Sequence, residues 1–117
     1  MISILMAGLF LESCYYDIEE ELYPQGNLCD TVSVTYSLDV MSILETHCIT
    51  CHSGGTPSGS IDLSTYGGVN ERVQDGSLLC SIQHASGCSP MPQNAGQLSA
   101  CNIEKISKWI AEGALNN

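Results

Sequence analysis

Positive charge is almost missing from this chain: three Lys and Arg residues face thirteen Asp and Glu across 117 residues, for a formal net charge of −10. A nucleic-acid partner needs clustered cations against its phosphates, which makes nucleic acid implausible here. No apolar run is long enough for a membrane-crossing helix. The opening "MISILMAGLFLES" supplies thirteen residues before Cys14, where a span takes about 20. Internal repeats are lacking, as is any low-complexity block beyond one acidic stretch. The length suits one small domain and is too short for two. A domain of this size buries a modest share of its surface and commonly needs covalent support.

Cysteine, by contrast, is plentiful: Cys14, Cys29, Cys48, Cys51, Cys80, Cys88 and Cys101. So many thiols fit an oxidising compartment better than a cytosol. Residues 1–13 read as a signal peptide, although no Lys or Arg precedes the apolar run as a secretory signal normally has. "LESC" resembles a bacterial lipobox, whose cysteine is lipidated and becomes the first mature residue; Glu12 stands where a small or apolar residue is usual. Cys14 is thus expected to anchor the protein to a membrane, the alternative being an ordinary cleaved signal. Residues 14–33 carry Asp17, Glu19, Glu20, Glu21 and Asp30 with no basic residue, and read as a solvated acidic tether. From residue 36 onward seven acids face three bases, so the folded part, residues 34–117, carries only about −4.

Along that folded part, "TVSVTY" (31–36) alternates briefly and reads as extended. "SLDVMSILETHC" places Val40, Ile43, Leu44 and His47 at helical spacing, with Ser37 as the expected N-cap. "HSGGTPSGSIDL" is a loop by its Gly, Ser and Pro content. Two short helices are expected in "STYGGVNERVQDG", closed by Gly76, and "SLLCSIQHA", which would include His84. "SGCSPMPQNAGQ" is again a loop, stiffened by Pro90 and Pro92. "LSACNIEKISKWIAEG" is the clearest helix. Ile103, Ile106, Trp109 and Ile110 form its apolar stripe, Lys105, Lys108 and Glu112 lie outside it, and Gly113 ends it. Helices with long loops and little strand pattern predict an all-α domain.

The chemistry concentrates at "CITCHSGG" (48–55), a C-x-x-C-H motif open to three readings. A thiol oxidoreductase carries C-x-x-C at a helix start after a strand, whereas this motif follows a helix with no βαβ pattern around it. A structural zinc site needs a second ligand pair at matching spacing, and Cys80 with Cys88 fits that poorly. Covalent haem attachment uses both thiols, one on each haem vinyl group, and the adjacent histidine as proximal iron ligand. Cys48, Cys51 and His52 would fill those roles. A sixth ligand is then wanted, and Met91 in "SPMPQ" is the candidate, between prolines that restrict its loop. His84 is the rival ligand, read instead as a surface residue; Met91 as a core gap-filler is the plain alternative. His47, one residue before Cys48, reads as a solvated helix-end cation.

"SLDVMSILETHCITCHSGG", "SPMPQ" and "LSACNIEKISKWIAEGA" resemble a small monohaem cytochrome c domain of the class I type, closest to versions carried on bacterial lipoproteins. The resemblance covers residues 34–115. It implies an all-α fold whose N- and C-terminal helices cross around one covalently bound haem c, with Trp109 packed at the crossing or on the haem. It implies single-electron carriage between redox proteins docking at the haem edge, in the periplasm or cell envelope, and no enzymatic turnover. Four further cysteines depart from the family's pattern. Cys29, Cys80, Cys88 and Cys101 allow three pairings. Cys80 with Cys88 would close a short loop just before Met91, and Cys29 with Cys101 would then tie the tether to the last helix. Two rival readings stay open: a haem-based sensor or peroxidase-like enzyme with an open iron position, and a non-haem, disulfide-stabilised interaction lipoprotein.

Overall fold

A computed structural model describes residues 29–117; the segments expected as signal peptide, Cys14 anchor and most of the acidic tether lie outside them. The described chain is all-α and has no strand. A π-helical turn at Tyr36–Val40 runs into α1 (Met41–His47). A 3-10 turn at Ser58–Ser60 follows, then α2 (Tyr66–Gln74), α3 (Ser77–Ile82) and α4 (Ala100–Ala111).

The first helical segment starts at Thr35, one helical turn earlier than α1 proper. The Thr35 hydroxyl accepts the Leu38 N–H at 3.3 Å, while the Asp39 carboxylate accepts the Thr35 N–H at 2.9 Å. This reciprocal arrangement satisfies donors that a helix start leaves unpaired. Thr35, not Ser37, is therefore the N-cap: Ser37 donates its own N–H to the Asn117 carbonyl at 2.9 Å, and Tyr36 donates to the Asn117 side chain at 2.9 Å. The segment expected as extended also differs. Val32 and Ser33 form a turn, and Val34 and Tyr36 are buried while Val32 is exposed. Two of the three apolar residues in the alternation are thus buried, Val34 by irregular chain and Tyr36 by the π-helical turn, and no strand among the described residues pairs with them.

The remaining helices follow their local signals. Thr65 caps α2 by accepting the Gly68 N–H at 3.2 Å. Gly76, with φ of 78°, turns the chain from α2 straight into α3. Ser99 caps α4 by accepting the Asn102 N–H, and Gly113, with φ of 104°, ends that helix.

The core joins the two ends of the domain. Val40, Leu44, Val69, Ile106 and Trp109 are its most completely buried side chains. Tyr36 sits edge-on to Tyr66, with centroids 5.2 Å apart, and lies tilted on Trp109 at 5.5 Å. The Trp109 indole N–H donates to the Leu115 carbonyl at 2.9 Å, so its burial leaves no orphaned donor. Lys105, outside the apolar stripe as expected, pairs with Asp39 of the first helical turn at 3.0 Å.

Two disulfides add to this core, Cys29–Cys101 and Cys80–Cys88. Cys29 lies inside the stretch expected as tether (14–33), so that stretch is bonded to α4 at this one residue. Two disulfides in so small a domain indicate an oxidising, exported environment. No helix among the described residues is long and apolar enough to cross a membrane.

Candidate functional site

The C-x-x-C-H motif forms the turn that ends α1. Leu44 holds the Cys48 and Ile49 N–H groups at 2.8 and 3.0 Å. The Cys48 carbonyl then accepts the N–H groups of Cys51 at 3.1 Å and His52 at 2.9 Å. Two donors converging on one carbonyl wind the five residues into a compact turn that carries both cysteines and the histidine. The Ser53 hydroxyl adds a bond to the Ile49 carbonyl at 2.7 Å.

The Gly- and Ser-rich loop behind the motif folds back onto it. Ser58 donates to the Cys51 carbonyl and Leu63 to the His52 carbonyl, both at 2.8 Å. His52 Nδ1 lies 3.1 Å from the Ile61 carbonyl oxygen. A carbonyl can only accept, so in the neutral ring Nδ1 carries the proton and Nε2 keeps its lone pair. This is the tautomer that a metal-ligating histidine needs, with an outer partner fixing the ring's orientation. Ile61 was not recognisable in the sequence, because the group it contributes is backbone.

The two thiols differ in environment. Cys48 is half-buried and Cys51 exposed. Burial pushes the Cys48 thiol up to about 11, and the neighbouring Cys51 adds to the rise. A thiol oxidoreductase needs its first cysteine shifted the other way. Among the described residues, no three His, Cys, Asp or Glu side chains gather as a closed zinc site would require. The other four described cysteines are joined in disulfides, which leaves Cys48 and Cys51 as the unpaired ones. Two free thiols three residues apart, with an Nε2 lone pair on the same turn, fit covalent haem attachment.

Met91 lies on the loop after α3, half-buried. The Cys80–Cys88 disulfide closes the loop ahead of it, and its N–H donates to the Ser81 carbonyl at 3.1 Å. His84 does not continue α3 as expected. The helix ends at Ile82 with Gln83 as cap, and His84 takes a left-handed φ of 53° with an exposed ring. Its Nε2 meets the Met91 carbonyl at 3.0 Å. The sequence reading weighed His84 only as a rival ligand or a surface group and missed this contact. His47 is the last residue of α1 and is exposed.

No protein-family model, curated protein or solved structure matches the chain.

Proposed function

We propose that this protein is an exported, membrane-anchored monohaem c-type cytochrome that carries single electrons between redox partners. The observation that carries the reading is the motif turn: two unpaired thiols and a histidine whose Nδ1 is committed to the Ile61 carbonyl, leaving Nε2 for iron. Bound there, haem c supplies a one-electron couple. Cys48 and Cys51 would hold it by thioether bonds, and His52 Nε2 would be the proximal ligand. Met91 would be the distal ligand; a thioether is soft, favours the reduced state and raises the potential. If His52 and Met91 both held the iron, no position would be left for a substrate, and the role would be transfer and not turnover. Exposed Cys51 brings the attachment turn to the surface, where a redox protein would dock transiently. In this reading the domain follows the small cytochrome c fold, supported by the packing of the last helix on the first through Trp109, Tyr36 and the Lys105–Asp39 pair. Cys14 would carry the lipid, with the acidic stretch as tether in the periplasm or cell envelope.

Mass spectrometry of the mature protein, made in a host with cytochrome maturation machinery, tests this directly. One covalent haem and a c-type α band on reduction are expected, both lost in the Cys48→Ala, Cys51→Ala variant. A colourless protein from such a host sinks the reading and favours a disulfide-stabilised interaction module. Carbon monoxide binding to the native reduced protein would favour the open-iron sensor or enzyme.

A further inference from the structure

After α3 the chain must turn sharply to bring Met91 back against the helix. His84 makes the turn with φ of 53°, a conformation that glycine adopts freely and a residue with a Cβ adopts at some cost. The same loop uses Gly87 at φ of 89°, so glycine is present where backbone freedom alone is needed. Ser60, Asn94 and Ala114 share this left-handed conformation, so it is the ring's contact that singles out His84. Its Nε2 is 3.0 Å from the Met91 carbonyl, and since a carbonyl only accepts, Nε2 is the donor. Pro90 and Pro92 have no N–H, so Met91 offers the one backbone donor of the three residues, and that goes to Ser81. The imidazole is thus a second pin on the Met91 backbone, and the one made by a side chain. A non-glycine residue held in a sparsely populated conformation is a reason to look for such a role.

We propose that His84 is a positioning residue for Met91, fixing the backbone from which the thioether is presented to the iron. This rests on the electron-carrier reading. Because the His84 ring is exposed, its bond competes with water, and its loss should alter the loop's population by a modest factor and leave the fold intact.

The test uses the haem-loaded full chain with His84→Gly and His84→Ala. Both remove the imidazole, but only glycine relieves the left-handed backbone. The readouts are the methionine–iron charge-transfer band of the oxidised protein, carbon monoxide binding to the reduced protein, hydrogen exchange at the Met91 amide, and Tm. The expected result is that both variants weaken the band and admit carbon monoxide faster. Both should also exchange the Met91 amide roughly five-fold faster, the factor set by one ordinary hydrogen bond. Tm should fall in the alanine variant and stay near the parent's in the glycine variant. Ligand readouts that instead follow Tm, parent-like in glycine and impaired in alanine, would overturn the proposal, as would parent-like readouts in both. A parent protein without covalent haem is a distinct result, overturning the carrier reading and this role with it.

Discussion

Asp39 is the polar link between the two ends of the domain, and its removal has a calculable effect. One oxygen accepts the Thr35 N–H at 2.9 Å, and the other meets Lys105 of α4 at 3.0 Å. Losing an acceptor at a helix start costs about 1 kcal/mol. The Lys105 pair is about a quarter exposed on both sides, so solvent screening limits it to roughly 0.5–1 kcal/mol. Asp39→Ala should therefore destabilise by roughly 1.5–2 kcal/mol, which in a domain of this size lowers Tm by about 6–15 °C. The Thr35 N–H, and then Lys105, hold the Asp39 carboxyl below the usual carboxylate range. A depressed value means that the stabilisation is complete above about pH 4, where the unfolded carboxyl is ionised, and fades as pH falls through the lowered value. Asp39→Asn keeps an acceptor oxygen but not the charge, so its acid limb should be flatter than the parent's. Thermal melts followed by circular dichroism from pH 2 to 7 (a range set about the ordinary carboxylate pKa) read both effects. The reasoning fails if Asp39→Ala melts with the parent, or if Asp39→Asn retains the parent's acid limb.

The two disulfides should contribute unequally. Cys29–Cys101 spans 72 residues and Cys80–Cys88 spans 8, so loop-closure entropy assigns about 4 and about 2.5 kcal/mol respectively. Urea unfolding of the paired Cys→Ser variants checks that order, and equal losses would count against the entropic account. At Gly68, an added Cβ would fall on the Asp62 carbonyl, a backbone atom with no freedom to move aside. Gly68→Ala should thus destabilise by roughly 1–3 kcal/mol in the same assay.

Features set by neighbours in sequence were legible: the motif itself, the α4 stripe through Ile106 and Trp109, and the glycine stops at 76 and 113. Features set by distant groups were not. The sequence pointed to Ser37 as cap of the first helix, whereas Thr35 takes that place through Asp39 on one side and Asn117 on the other. Lys105 read only as lying outside the apolar stripe, because its partner is 66 positions away in sequence. The Ile61 carbonyl that orients His52 has no side-chain signature at all. His84 looked helical because Leu78, Leu79 and Ile82 are, while the turn that follows is set by the Ser81 carbonyl and the closed disulfide loop.

The local bonding around the motif and the Met91 loop gives the carrier reading a mechanical rationale. A site that exchanges an electron while keeping its ligands works best when the ligand-bearing segments are held rigidly by their own surroundings. Thirteen buried apolar residues form the core among the described residues, and neither the C-x-x-C-H residues nor Met91 is one of them. Stiffness at His52 must come instead from the converging bonds on Cys48 and the return of Ile61 and Leu63. At Met91 it comes from a disulfide, Ser81 and His84. These restraints are mostly backbone bonds and a disulfide; of the residues that make them at His52, Leu63 lies in the packed core while Cys48 and Ile61 pack against it. In the carrier reading, loosening them should therefore change ligation before it changes global stability, the reverse of what is expected of Asp39 or Gly68 substitutions.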